Sequence, residues 1–256
     1  MIGEAPGGVD VHTANSARIY DYMLGGKDNF AADREAAERI VRVFPESRDG
    51  VRGNREFLGK VVRHLAGEIG IRQFLDIGAG LPTRDNVHQV AHSVDPAART
   101  VYVDNDPVVC VHGRALLAKT STVAMVNGDV RKPEDIHAKV SQTGLIDWNR
   151  PVGLLMVAML HFVDEPHEHV ARLREMVAPG SYLAITHLTT TGERGDDTER
   201  LRQIYSRTNT PVLPRSTEEI NLFFGDFELL DTSHFIPPHL IRRFASLGWG
   251  GVARKR

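Results

Sequence analysis

Cysteine is almost missing from this chain: one, Cys110, among 256 residues. A lone thiol excludes an internal disulfide and fits a reducing compartment. It sits in the apolar run VVCVHGRALL, which marks it as a buried structural thiol rather than a reactive one. Long hydrophobic runs are missing too. The longest, VGLLMVAMLHFV from Val152 to Val163, falls short of the about 20 residues that a bilayer-spanning helix needs. The first residues, MIGEAPGGVDVHTANSARIY, lack the charged start and apolar stretch of a signal peptide, so a cytoplasmic location is expected. Charge of one sign is not in excess, since 31 Lys and Arg against 33 Asp and Glu leave a net charge of −2. The terminal Arg254-Lys255-Arg256 cluster is too short to make a basic surface, so nucleic acid is not expected as a partner. With 41% hydrophobic and 25% charged residues the composition is that of a globular protein, which excludes disorder, collagen and coiled coil as overall descriptions.

The organisation of the chain changes near Gly70. Before it, residues 1 to about 15 read as a loose arm. Helices are expected over Ser16–Leu24, stopping at Gly25-Gly26, and over Ala31–Val43, ending before Pro45. A third is expected over NREFLGKVVRHLAGE, with Phe57, Leu58, Val61, Val62 and Leu65 on one face. After Gly70, short apolar runs alternate with helical stretches, the pattern of a parallel sheet with crossover helices. The strands read are 72–77, 100–104, 123–127, 152–160 and 181–187, then 227–231 and 249–254. Their near-continuous apolar character implies helices on both faces. Ser216 and Glu219 stand in capping-box spacing before a further helix. One α/β domain over 1–256 is expected, with a helical cap over 1–69 and a Rossmann-like core over 70–256.

The sharpest local signal is FLDIGAGLPT, from Phe74 to Thr83: a buried strand running into Gly78 and Gly80 and then towards a helix. Ligands of open parallel sheets settle at such strand ends, and glycines let them approach the backbone. The dinucleotide fingerprint wants a small residue where Thr83 stands, and Thr83 is better suited to capping the next helix. A Walker loop would need Gly-Lys-Ser/Thr, which is absent here. Asp76 ends the strand, where it would repel a pyrophosphate and welcome an ammonium group.

Two further acids end the following strands. Asp104, in VYVDNDP, can accept bonds from both hydroxyls of a ribose, and Asp129, in VNGDVRK, from an adenine amino group. Three strand-terminal acids in series suit a nucleoside with a positively charged tail, which describes S-adenosylmethionine.

These residues are familiar as a set. The chain resembles the class I S-adenosylmethionine-dependent methyltransferases, and among them the actinobacterial family once known as a domain of unknown function and now called S-adenosyl methyltransferases. The resemblance covers nearly the whole chain and rests on ARIYDYMLGGKDNFAADR (17–34), QFLDIGAGLPTRDNVHQVA (73–91), VYVDNDPVV (101–109), GDVRKPEDI (128–136), LLMVAMLHFVDE (154–165) and VAPGSYLAITH (177–187). It implies a seven-stranded, mostly parallel sheet with an antiparallel last strand. Gly78, Ala79 and Gly80 would line the methionine part of the cofactor, Asp104 with Asn105 the ribose, and Asp129 with Val130 the adenine. Ala158, Leu160 and His161 would face the reacting methyl. Pro82 replaces the usual third glycine of the class, which stiffens the turn.

The N-terminal segment places Tyr20, Tyr22, Lys27, Asp28, Asn29 and Asp33 around Gly25-Gly26. It reads either as a helix-turn-helix with polar residues in water or as a lid over the cofactor, in which case Tyr22 and Gly26 join the cofactor site. His161 and His187 follow the fourth and fifth strands and are the general-base candidates, because imidazole titrates near neutrality. No metal is expected, and His167 and His169 lie on different helix faces. The stretch of about thirty residues after His187 is long enough to shape an acceptor pocket. The reading is a methyltransferase acting on a small molecule, with a homodimer as the oligomer in view. A non-catalytic cofactor-binding protein and a nicotinamide-dependent oxidoreductase are the alternatives.

Overall fold

The computed structural model describes residues 10–190, 195–231, 235 and 248–256. The strands are β1 Gln73–Ile77, β2 Arg99–Asp104, β3 Val123–Asn127, β4 Gly153–Val157, β5 Tyr182–Leu188, β6 Glu228–Leu229 and β7 Gly248–Arg254. They form one sheet in the order β3-β2-β1-β4-β5-β7-β6. β1 to β5 run parallel, β7 is antiparallel to β5, and β6 is antiparallel to β7. The helices are α1 Ser16–Met23, α2 Ala31–Val43, α3 Ser47–His64, α4 Val87–His92, α5 Pro107–Leu116, α6 Pro133–Gln142, α7 His167–Met176, α8 Gly195–Tyr205 and α9 Thr217–Asn221.

The chain leaves β1 for β2 and β3 on one side, then returns to β4 on the other. The order therefore reverses at β1 and β4, whose carboxyl ends open the crevice where such sheets bind ligands. Alternation along β1 divides its side chains between two cores. Phe74 packs with Phe57, Val61 and Leu65 of the α3 side, while Leu75 and Ile77 pack with Ile136, Val140, Val170 and Leu173 of α6 and α7. Each such side chain, fully buried, contributes about 1.5–3 kcal/mol. Asp76 shares the Phe74 face and so points to the side that α3 covers. A third apolar cluster joins α1, α2 and α8 through Ile19, Met23, Ile40, Phe44, Leu201 and Tyr205.

Some boundaries differ from those expected. The fourth strand stops at Val157 instead of residue 160, because Ala158 takes a left-handed φ of 56° that no extended chain sustains. Leu160–Phe162 then makes a turn of 3-10 helix. The third helix starts at Ser47, seven residues before Asn54, although Gly50 and Gly53 lower its intrinsic propensity. Burial of Ser47, Gly53 and Asn54 overrides that cost. The sixth strand is only Glu228–Leu229. α9 has the expected capping box, Ser216 with Glu219. Among the described residues no helix is long and apolar enough to cross a membrane.

Candidate functional site

A cavity of about 660 Å³ lies between the carboxyl edge of the sheet and the N-terminal helices, within the range of ~300–1,000 Å³ usual for small-molecule sites. Its floor is the turn after β1. Gly78 and Gly80 take φ of 74° and 67°. The Gly78 and Ala79 amides donate to the Val103 carbonyl of β2 at 2.8 and 3.2 Å. A Cβ on Gly78 would stand 2.6 Å from Met159 Cβ, so only glycine lets the loop after β4 close over this turn.

Asp76 is 5% exposed, and its carboxylate makes no hydrogen bond with a described residue. Burial pushes it up to about 7; the nearby Arg55 guanidinium opposes that rise and the Asp104 carboxylate adds to it. Arg55, on α3, donates from Nη2 to the carbonyls of Arg84 and Asp85 at 3.2 and 3.0 Å. Its Nε is buried without a hydrogen-bond partner among the described residues. Asp76 and Arg55 thus both line the cavity, close enough to influence each other without forming an ion pair.

Asp104 is held differently. One oxygen accepts from the Gly80 amide and the other from the Asp106 amide, both at 2.9 Å. A carboxylate oxygen has about two acceptor sites, so each keeps one for a hydroxyl. Burial raises its pKa, against the backbone amides of Asp106, Gly80 and Asn105 that favour the ionised form. Asn105, Asp129 and Val130 complete this part of the wall. The Asp129 carboxylate, however, is occupied: Oδ1 accepts from the Arg131 amide and Nε, and Oδ2 from Nε and, at 2.6 Å, from Nη2. Those bonds hold its pKa down.

The helix after the turn is not capped by Thr83, contrary to expectation. Asn86 caps α4 in a box with Gln89, and the Thr83 amide itself donates to Asn86 Oδ1 at 3.1 Å. The six residues Leu81–Asn86 carry the chain too far for Thr83 to reach the helix start.

The expected methyl-facing residues divide. Ala158 and His161 line the cavity, but Leu160 turns away into the core beneath, with no exposure. The Ala158 amide donates to Thr186 Oγ1 at 2.9 Å, which fixes its left-handed backbone. His187 has both nitrogens engaged. Nδ1 lies 2.7 Å from the Leu188 carbonyl and Nε2 lies 3.1 Å from Arg215 Nη1. A guanidinium only donates, so Nε2 is the acceptor and Nδ1 carries the proton. Burial drives the pKa of His187 down to about 4 and that of His161 well below the usual range. His161 Nδ1 accepts from the Leu188 amide at 3.4 Å, which leaves its proton on Nε2. Neither ring offers a free basic nitrogen. Arg215 also donates to the carbonyls of Leu160 and Val163, pinning the loop that carries His161; its position after the long connection gave no local signal.

In the N-terminal segment, Tyr22 and Gly26 do not line the cavity. The Tyr22 hydroxyl donates to Glu38 Oε1 at 2.8 Å, and the Arg48 guanidinium lies over its ring. Gly26 serves the turn: a Cβ there would overlap the Asp21 carboxylate, which accepts from the Asp28 amide and the Asn29 side chain. Asp33, with no exposure, takes the Arg18 guanidinium at 2.9 Å and the amides of Asn15 and Phe30. Asn15, Tyr20 and Asp21 are among the cap residues that do reach the cavity. Asn15 Nδ2 donates to Asp106 Oδ2 at 2.8 Å, fastening the cap to the end of β2. Cys110 is buried and unpaired, as its apolar neighbours imply.

Three comparisons bear on this site. A search of curated proteins finds no match. Among solved structures, a protein of Thermobifida fusca YX described as a candidate methyltransferase shares 41% identity, with 98% of each chain covered and a TM-score of 0.89. A DUF574 family protein of Streptomyces avermitilis MA-4680 shares 38% identity over 96% of this chain and 99% of its own, with a TM-score of 0.88. An O-methyltransferase family protein of Burkholderia thailandensis, 14% identical over 88% of this chain and 60% of its own, has a TM-score of 0.54 and shares the fold. The family model for S-adenosyl methyltransferases matches residues 3–240, nearly the whole chain. With the glycine turn and the strand-end acids in place, that match settles the family: this chain belongs to the S-adenosyl methyltransferases.

Proposed function

We propose that the protein transfers a methyl group from S-adenosylmethionine to a small molecule enclosed in the cavity, by in-line displacement. The observation that carries this reading is the Asp76 carboxylate before the glycine turn, which makes no hydrogen bond with a described residue and shares the cavity wall with Arg55. Opposite charges on one cavity wall suit the ammonium and carboxylate of an amino-acid tail. Asp104 has one acceptor site per oxygen left for the two ribose hydroxyls. Asp129 is paired with Arg131, so Asn105 and Val130 are left to bound the adenine.

When bound, the cofactor supplies a sulfonium methyl that is electrophilic without further activation. The chain's own residues contribute position. The Gly78–Gly80 turn and Met159 confine one side, and Ala158, fixed by Thr186, sets the height of the loop facing the acceptor. Alignment of this kind lowers a bimolecular barrier by about 7–11 kcal/mol when the geometry is near attack. His161 and His187 keep their protons and hydrogen bonds and act as walls of the site rather than as bases. The acceptor therefore loses its proton to water, or arrives already nucleophilic.

Calorimetric titration tests the reading. S-adenosylhomocysteine should bind and NAD should not; NAD binding with no sulfur-nucleoside binding would refute it. A non-catalytic cofactor-binding protein would pass that titration, yet would form no S-adenosylhomocysteine from S-adenosylmethionine with any acceptor.

A further inference from the structure

The cavity continues past the glycine turn into the cap. There its wall is made by Ile19, Met23, Ile40, Phe44 and Leu201, with Phe162 on the core side. Charged groups of the wall lie elsewhere: Asp76, Asp104, Asp106 and Asp129 at or after strand ends, Arg131 paired with Asp129, Arg55 of α3, and Asp164 exposed. Asp21 of α1 is turned onto its own loop, accepting from Asp28 and Asn29.

Polar side chains reach this half too, Ser47 and Tyr205 among them. Tyr205, at the end of α8, is 8% exposed and lines the cavity. Its ring packs on Phe162 at 5.5 Å between centroids. Its hydroxyl makes no hydrogen bond with any described residue. A hydroxyl on the wall of a cavity can exchange a bond to water for one to a ligand. Burial holds the phenol above its ordinary pKa, so it keeps its proton and can donate. Phe162 follows His161 directly, so the Tyr205 ring packs beside the loop that faces the acceptor.

We infer that the Tyr205 hydroxyl holds the methyl acceptor through a hydrogen bond, and that the acceptor is a neutral, flat, largely apolar compound carrying one hydroxyl or ring nitrogen. The inference rests on the methyltransferase reading and names its substrate class. The apolar wall disfavours an ionic acceptor, which would lose its hydration with no counter-charge in reach. The rings of Phe44, Phe162 and Tyr205 offer faces and edges to a flat body.

Three probes test it on the full chain saturated with S-adenosylhomocysteine: 1-naphthol, naphthalene and naphthalene-1-sulfonate, each titrated by calorimetry. Wild type should bind 1-naphthol, and the sulfonate at least about tenfold more weakly. Tyr205→Phe keeps the packing on Phe162 and removes one hydrogen bond. It should weaken 1-naphthol about three- to tenfold while leaving naphthalene within about twofold. S-adenosylhomocysteine affinity should stay unchanged in the variant. Equal effects on both neutral probes, sulfonate binding as tight as 1-naphthol, or no binding of either neutral probe would overturn the inference. Lost S-adenosylhomocysteine affinity in Tyr205→Phe alone would also overturn it, placing Tyr205 at the cofactor. Lost affinity in the wild type would instead remove the cofactor reading, and this acceptor site with it.

Discussion

Thr186 Oγ1 donates to Asn54 Oδ1 at 2.5 Å, a bond between residues 132 apart that ties the end of β5 to α3. It is the middle of a longer chain. The Ala158 amide donates to Thr186 Oγ1, Asn54 Nδ2 donates to the Tyr20 hydroxyl, and that hydroxyl reaches the Val51 carbonyl. The left-handed backbone at the methyl-facing loop is thus connected to the first helix of the cap. Thr186→Val removes the link while keeping the shape and should cost about 1–3 kcal/mol in urea denaturation. In a double-mutant cycle with Asn54→Ala the two losses should fall short of additivity by at least about 0.5 kcal/mol. Full additivity would show that the bond carries no energy.

Asp104→Asn should weaken S-adenosylhomocysteine binding at least about tenfold, because the charge is lost and the amide nitrogen cannot accept a hydrogen bond from a ribose hydroxyl. Asp129→Asn should change the dissociation constant less than about fivefold, since its carboxylate already spends its acceptor sites on Arg131. Calorimetry on the two folded variants compares them directly. Equal losses would mean that Arg131 swings away and Asp129 meets the cofactor.

The Asp76 carboxyl predicts a pH dependence of its own. Its folded pKa of about 7 stands above the ordinary 3.8, so the empty folded protein holds a proton that the unfolded chain has released. Stability from this group therefore falls as pH rises from about 4 to about 7, then levels off, at about 1.4 kcal/mol per pKa unit. His187, lowered to about 4, acts oppositely and costs stability as pH drops below 6.5. The difference between wild type and Asp76→Asn isolates the acid. Cofactor affinity should fall below pH 7 in the wild type and lose that dependence in Asp76→Asn; a flat wild-type profile would mean that Asp76 meets no cation.

Tyr22→Phe should leave cofactor affinity within about twofold, because its hydroxyl serves Glu38 and not the cavity. Asp33→Asn should instead destabilise by about 3 kcal/mol, since it leaves the buried Arg18 without its counter-charge. Thermal unfolding and titration of both variants separate structural from ligand roles in the segment 20–33. A cofactor loss in Tyr22→Phe with unchanged stability would restore this residue to the site.

Thr100, in the middle of the sheet, has no exposure, and its hydroxyl lacks a hydrogen-bond partner among the described residues. Thr100→Val keeps the branched shape and should raise stability by about 1 kcal/mol. A loss of stability on denaturation would reveal a buried water at this position.

Local order in the chain already contains much of this molecule. Apolar runs of strand length separated by helical stretches specify a parallel sheet covered on both faces, because strand and helix periodicities act over a few residues. The same local rule puts Asp76 and Asp104 at strand ends, and glycines at 78 and 80 where the backbone must turn with positive φ. Other features depend on contacts that no spacing encodes. Arg55 comes within electrostatic reach of Asp76 only because α3 covers that face of β1. His187 loses its basic nitrogen to Arg215, 28 residues on, and Tyr22, whose composition suggested a lid, is spent on Glu38. Tyr205 reaches the cavity because α8 packs on the cap. Periodicity tells which face of an element is buried, but the chain's path alone decides what that face meets.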